Sequence, residues 1–255
     1  METYYEILTN QGKLRGAFHI PEKEEFKIPI VFIHGYFSGN RVGPARLYLE
    51  MARFLESGGH TISRFDALGV GESDGKFSAV TFDSEIRDFS LIILQTLLHF
   101  KKDNVILLGH SMGANLALNL FLQMQKKISS LFLIAPDIEM LSGIDHLFSE
   151  KQMNDLENKG YTYRKGLHIN NSFIKEIRNK ELLFDNIKNK KIPTYVFHGN
   201  ADELYSVRGS QQLARLMEGK LTTIENGDHN FLNPKARFSL FKEIQLKLYE
   251  FCRNI

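Results

Sequence analysis

The stretch from Val105 to Ala117 constrains this chain more than any other. Four apolar residues, Val105-Ile106-Leu107-Leu108, run straight into Gly109-His110-Ser111-Met112-Gly113, and a helical pattern begins at once. An unbroken apolar run of that length reads as a strand buried on both faces of a parallel sheet. Glycines flanking a single serine are what a strand-to-helix turn requires when it is too tight for side chains at the neighbouring positions. Such a turn lifts Ser111 Oγ clear of the backbone at the carboxyl end of a central strand. The amide of Met112, at the start of the following helix, then faces whatever Ser111 meets. Small Ala114 and Ala117 fall where that helix has to approach the sheet.

The Gly-x-Ser-x-Gly pattern alone recurs by chance in roughly one chain in ten of this length, so its weight depends on partners elsewhere. Without them it is an ordinary turn with an exposed serine. A chain of 255 residues holds one large α/β domain or two small ones, with enough length for a sizeable core. The 32 basic and 30 acidic residues nearly cancel, and no basic cluster suggests a nucleic-acid face. Lys188-Asn189-Lys190-Lys191 reads as a solvated loop. The single cysteine excludes an intramolecular disulfide. Cys252 shares a helical stripe with Phe238, Phe241, Leu248 and Phe251, which predicts a buried structural thiol. Met1–Glu6 has neither a basic region nor an apolar core, and no uncharged apolar run reaches 18 residues. A cytoplasmic, reduced protein without a membrane span is therefore expected.

Along the chain, residues 2–9 and 13–20 form two predicted strands joined at Asn10-Gln11-Gly12. Ile30–Ile33 is a buried strand ending at His34-Gly35-Tyr36, and a helix is expected over roughly 44–57. Strand 61–66 opens into the glycine-rich loop 68–75. Thr81 is a plausible N-cap for a helix reaching about residue 99, with Asp83 and Glu85 favouring its dipole. The helix after Ser111 runs to about residue 126, and Leu131–Ile134 is another buried strand. From about 138 to 192 the alternation fails. That stretch reads as an insertion in a core of residues 1–137 and 193–255, with a small hairpin around Tyr161-Thr162-Tyr163 and Gly166-Leu167-His168. The rhythm then resumes as strand 194–198, helix 206–218, strand 221–225 and a final helix with Asn233 as N-cap and Pro234 at N1. The fold class is α/β, a doubly wound and mostly parallel sheet with a small inserted lid.

Ligands of such a sheet sit at the carboxyl ends of its strands. Those ends hold His34-Gly35-Tyr36, Asp66, His110-Ser111-Met112, Asp137, His198–Asp202 and Asp228-His229. A nucleophile, an acid and a base thus occur in the order Ser, Asp, His. Ser111 needs a neutral imidazole to take its proton, and His229, in the loop after the last strand, can reach back over the sheet. Asp202 is the expected carboxylate partner of His229, with Asp137 as its rival. The backbone amides of Tyr36 and Met112 are the expected oxyanion donors. His34, His110 and His198 read as turn-stabilising residues, and Asp66 and Asp74 as acceptors for loop amides. Gly69 and Gly71 lack the following Lys-Ser/Thr and a third glycine of a phosphate cradle, so nucleotide binding is excluded. No histidine pair has metal-ligand spacing, and neither a metal nor a cofactor is implied.

Taken together, His34-Gly35-Tyr36, Phe65–Gly75, Gly109–Gly113, His198–Asp202 and Gly227-Asp228-His229 resemble the α/β-hydrolase superfamily over nearly the whole chain. Asp74-Gly75-Lys76-Phe77, the position of the insertion and Asp228-His229-Asn230-Phe231 are most similar to bacterial cinnamoyl/feruloyl esterases and related small carboxylesterases. The resemblance implies Ser111, Asp202 and His229 as a catalytic triad, Tyr36 and Met112 as amide donors, and the insertion as a lid over the acyl pocket. Two departures are Met112, where those esterases often carry a polar residue, and Leu204-Tyr205-Ser206, where a Val-Pro pair is common.

The expected activity is hydrolysis of carboxylic esters of small or aromatic acyl groups through an acyl-enzyme. A thioesterase or acyltransferase would use the same acyl-serine, and a non-catalytic small-molecule receptor would use the same scaffold. Phe77, Phe148, Tyr161 and Tyr163 are candidates for an aromatic acyl pocket or for packing within the lid. The expected partner is a small acyl ester or thioester, with neither nucleic acid nor membrane; oligomeric state has no signature in the sequence.

Overall fold

A computed structural model describes residues 1–36, 39–136, 147–178, 186–188 and 190–253. Its main sheet has eight strands: β1 (Glu2–Thr9), β2 (Gly12–His19), β3 (Phe26–Ile33), β4 (His60–Phe65), β5 (Val105–His110), β6 (Ile128–Ile134), β9 (Thr194–Gly199) and β10 (Lys220–Ile224). A separate antiparallel pair, β7 (Tyr161–Arg164) and β8 (Leu167–Asn170), lies between β6 and β9 in sequence. The main sheet runs β1-β2-β4-β3-β5-β6-β9-β10; β1, β2 and β4 pair antiparallel and every other pairing is parallel. The helices are α1 (Leu47–Ser57), α2 (Phe82–Phe100), α3 (Met112–Gln123), α4 (Glu150–Lys159), α5 (Asn171–Arg178), α6 (Val207–Leu216) and α7 (Pro234–Arg253).

Two-residue alternation along the central strands divides the apolar residues between two cores. Val31, Ile33, Val105, Leu107, Leu131 and Leu133 pack on the side of α2, α3 and α6. Ile30, Phe32, Ile106, Leu108, Phe132 and Ile134 pack on the side of α1 and α7. Both faces are covered, which is why these strands read as continuous apolar runs.

From β3 the chain first moves to β4 on one side, then returns to place β5 on the other. The loops leaving β3 and β5 therefore diverge at a switch point, where such a sheet leaves a crevice. Thr81 caps α2 as expected: its Oγ1 accepts from Ser84 N at 3.1 Å, and Ser84 Oγ accepts from Thr81 N at 2.9 Å.

Several boundaries differ from expectation. Pro44–Arg46 is a 3-10 turn with Ala45 and Arg46 at positive φ (43° and 66°), so α1 begins only at Leu47. The left-handed pair redirects the chain and points Tyr48 inward. Strand β6 starts at Ile128, three residues before its apolar run, because buried Ser130 satisfies its hydroxyl on Pro193 O at 2.8 Å. Phe238 leaves the buried stripe of α7: it is 49% exposed, edge-on to Phe54, with Lys242 Nζ 4.4 Å from its ring. Cys252 is half-buried, and desolvation pushes its thiol up to about 11.

Candidate active site

The turn after β5 is as tight as its glycines imply. A Cβ on Gly113 would lie 2.6 Å from the His34 carbonyl oxygen, and one on Gly109 would lie 2.8 Å from Ala114 Cα. Ser111 itself sits at φ 57°, ψ −125°, a strained conformation for a residue with a side chain. Its amide donates to Ile134 O at 2.9 Å and its carbonyl accepts from Ala114 N at 3.0 Å. The strain is thereby held between β6 and the first turn of α3.

The loops after β9 and β10 are joined through two glycines. A Cβ on Gly199 would come within 2.8 Å of Gly227 Cα; Ala201 N donates to Gly227 O at 3.0 Å, and Asn226 N to Asn200 Oδ1 at 2.7 Å. Asp228 then ties its own loop, accepting from Asn230 N and Leu232 N at 2.9 Å each. This presents His229 over the sheet. Its Nε2 lies 3.0 Å from Ser111 Oγ, and its Nδ1 lies 2.8 Å from Asp202 Oδ2. With Nδ1–H donating to the Asp202 carboxylate, Nε2 is left to accept from the serine hydroxyl.

Asp202 divides its two oxygens. Oδ1 accepts from Leu204 N at 2.9 Å and Tyr205 N at 3.0 Å, while Oδ2 faces His229 and, at 3.3 Å, His198 Nε2. Burial works to raise this carboxyl, but the hydrogen bonds from His198 and His229 outweigh it and hold it well below the usual carboxylate range. Asp137, the rival partner, lies outside the described residues.

The three histidines read as turn-stabilising have wider duties. His34 accepts from Ala67 N through Nε2 at 3.2 Å, with Nδ1 3.0 Å from Gly35 O. His198 Nδ1 meets Ser210 Oγ at 2.7 Å, and its Nε2 also lies 3.1 Å from Tyr205 O, so it braces the Asp202 loop. His110 connects Tyr48 OH (2.7 Å) to His229 O (2.8 Å). Tyr48 carried no signal in the sequence beyond its place in a helix; its reach to His110 exists only in three dimensions.

On the opposite side of Ser111, Gly35 passes so close that a Cβ there would sit 3.5 Å from Ser111 Cβ. Tyr36 follows with a buried side chain stacked on Phe173 of α5 (centroids 3.8 Å apart, planes 4° apart). Asp66 and Asp74 accept loop amides as expected, from Arg41 N and Glu72 N and from Lys13 N. Gly71 is filled by the Asp66 carboxylate, where a phosphate cradle would be open.

A cavity of about 100 Å³ opens over Ser111, lined among others by Tyr36, Met112, Leu147, Leu204, Tyr205 and Asn230. Phe77, Phe148, Tyr161 and Tyr163 are not among its lining residues. Phe77 packs against Tyr36 instead, at 5.1 Å, and Phe148 is buried in the core. Tyr161 and Tyr163 are exposed. The hairpin directs its turn at the site while its strand aromatics face away. Among the described residues, no three His, Cys, Asp or Glu side chains are grouped as metal ligands are, and no helix is long and apolar enough to cross a membrane.

The family model described as "alpha/beta hydrolase fold" matches residues 28–172, more than half of the chain. The chain belongs to the α/β-hydrolase family. Its curated relatives include the mitochondrial palmitoyl-protein thioesterase ABHD10 of Mus musculus, 30% identical over 78% of this chain and 68% of the relative. Among solved structures, Est1E from Butyrivibrio proteoclasticus with ferulic acid bound superposes with a TM-score of 0.82 at 19% identity, covering 96% of this chain and 98% of that one. Mouse ABHD10 superposes at 0.74 with 24% identity, covering 98% and 99%. These structures share the α/β-hydrolase fold with this chain, as expected from its motifs.

Proposed function

We propose that this α/β hydrolase cleaves carboxylic esters or thioesters through an acyl-serine, with Ser111 as nucleophile, His229 as base and Asp202 as the carboxylate that orients it. The observation carrying this reading is the continuous relay from Ser111 Oγ through His229 to Asp202, with steps of 3.0 and 2.8 Å. In it, Ser111 Oγ attacks the carbonyl carbon as its proton passes to His229 Nε2. The tetrahedral oxyanion is held by the amides of Tyr36 and Met112. His229 then returns the proton to the leaving alkoxide or thiolate, and the acyl-serine remains. Water, deprotonated by the same imidazole, attacks that ester and releases the acid.

The cavity supports a short acyl group. An apolar cavity of ~150 Å³ takes one benzene ring, and the space over Ser111 is about 100 Å³. The thioester reading is favoured by the mouse relative, named a palmitoyl-protein thioesterase. Insertion residues 147–178 fit a lid: Tyr36 stacks on Phe173, Asn170 Nδ2 donates to Ser78 O at 2.5 Å, and Asp83 N donates to Glu176 Oε2 at 3.1 Å.

The test is labelling by a fluorophosphonate probe, combined with turnover of p-nitrophenyl esters and matched acyl thioesters of two to sixteen carbons. Wild-type protein should label at Ser111 and show an acylation burst, and Ser111→Ala should do neither. Ester cleavage at the native rate by Ser111→Ala would refute the assignment.

A further inference from the structure

His229 and His198 converge on one carboxylate oxygen. Asp202 Oδ2 lies 2.8 Å from His229 Nδ1 and 3.3 Å from His198 Nε2. Oδ1 is taken by the amides of Leu204 and Tyr205. A carboxylate offers about four acceptor positions, so these four N–H groups fill it. The Asp202 side chain is 1% exposed and His198 is fully buried, which leaves the pair to act on each other across a desolvated contact.

The hydrogens of His198 follow from its neighbours. Nε2 faces two acceptors, Asp202 Oδ2 and the Tyr205 carbonyl oxygen at 3.1 Å, so it carries a hydrogen. Nδ1 of the neutral ring then accepts from the Ser210 hydroxyl, 2.7 Å away on α6. Strand β9 carries His198, the following loop carries Asp202, and α6 carries buried Ser210. The other titratable groups facing this arrangement are His229, His110 and Tyr205. The His110 and Tyr205 rings lie 5.1 and 5.0 Å from that of His229, and burial keeps His110 neutral. Glu203, next to Asp202 in the chain, is exposed.

We propose that His198 is a positioning residue for the acyl-serine reaction, a second N–H donor on Asp202 that moderates the carboxylate's hold on His229. The inference rests on the acyl-serine reading and adds to it what sets the strength of the base. A carboxylate serving His229 alone would place its whole charge on that ring and stabilise the imidazolium further. The imidazolium has to surrender the proton taken from Ser111 to the leaving alkoxide or thiolate, and too firm a hold slows that transfer. Sharing Oδ2 divides the charge, and Ser210 keeps the His198 ring turned toward it.

The experiment joins the pH dependence of kcat/KM for p-nitrophenyl acetate to proton NMR of the His229 Nδ1–H resonance. Wild type is compared with His198→Leu, His198→Gln and Ser210→Ala. In His198→Leu the acid limb should move up by about one pH unit, the scale of one lost hydrogen bond to a charged group. The resonance should move downfield, and plateau kcat should fall severalfold with KM nearly unchanged. His198→Gln, whose amide can donate to Oδ2, should bring the limb back toward its wild-type position. Ser210→Ala, which frees the ring without removing it, should give a smaller shift in the same direction as His198→Leu.

A limb and a resonance that keep their wild-type positions in folded His198→Leu would overturn the inference, whatever happens to kcat. Leucine and glutamine variants displaced alike would also overturn it, since loss of the donor would then not be the cause. Should His198→Leu fail to fold, Ser210→Ala decides, and an unmoved limb and resonance there would overturn it. The resonance is read without turnover. Its downfield shift in the variants of a protein that cleaves no ester would uphold the action of His198 on the Asp202–His229 pair while removing the hydrolase reading.

Discussion

Tyr48 and His110, 62 residues apart, are joined by a buried hydrogen bond of 2.7 Å from the phenol to the imidazole Nδ1. Gly35 N donates to the same phenol oxygen at 3.3 Å, so the phenol's own proton is directed to Nδ1. That leaves the His110 Nε2 proton for the carbonyl of His229, 2.8 Å away. Burial holds His110 down to about 3, so the ring stays neutral throughout the ordinary pH range. The loop before Tyr36 and the loop carrying His229 are thus fastened to each other beneath Ser111.

Tyr48→Phe should cut that fastening. It leaves Gly35 N–H and His110 Nδ1 without their partner in a buried setting, which costs about 1–3 kcal/mol. Urea unfolding should show that loss. Because His229 and the Gly35-Tyr36 backbone would no longer be held in register, kcat should fall by about tenfold with a smaller change in KM.

Asp202→Asn should be far more damaging to turnover than to folding. An asparagine amide turned toward Nδ1 selects the wrong imidazole tautomer, and the expected drop in kcat is about 10⁴-fold. Stopped-flow acylation would check this. The accompanying change in thermal midpoint should be small beside the kinetic loss, since Oδ1 can still accept from Leu204 N and Tyr205 N.

Gly113→Ala is a test of the turn. The added methyl has no room against the backbone of β3 and its exit, where the His34 carbonyl oxygen would be 2.6 Å away. Overpacking of this kind costs about 1–3 kcal/mol or more. Backbone atoms cannot rotate aside, so the upper end is expected, read as a lowered denaturation midpoint or loss of soluble protein.

Acid sensitivity should be traceable to His60. The ring is fully buried, stacked on Phe26 at 4.2 Å, and among the described residues neither nitrogen has a hydrogen-bond partner. Desolvation lowers it to about 4. Above pH ~6.5 the ring is neutral in both folded and unfolded chains. As pH falls from there toward 4, only the unfolded chain takes up the proton, and stability declines by about 1.4 kcal/mol per pH unit for this one residue. His60→Leu should flatten that limb relative to wild type, as measured by urea midpoints from pH 7 to 4.5. Equal slopes in the two proteins would rule His60 out as the cause.

Much of the scaffold is encoded in short stretches. Thr81 and Ser84 cap α2 through contacts three residues apart, and Asn233 accepts from Lys235 N and Ala236 N at the start of α7. Such bonds need only local sequence. The 3-10 turn before α1 was not legible, because nothing in Pro44-Ala45-Arg46 announces two left-handed residues. Phe238 sits at helical spacing from Phe241, yet only Phe241 is covered, while Phe238 is left at the edge of the packed face beside Phe54.

What the sequence by itself determined is the set of pieces: buried strands, capped helices, a serine on a glycine-flanked turn, and Asp202 and His229 at later strand ends. Periodicity, capping and positive-φ turns all act within a few residues, so they are written in the local chain. Tertiary structure alone decided how the pieces meet. Only the strand order brings Ser111 within 3.0 Å of a histidine 118 residues away and locks Tyr48 onto His110. Those contacts depend on crossings of the chain between distant segments, and no local pattern of residues carries that information.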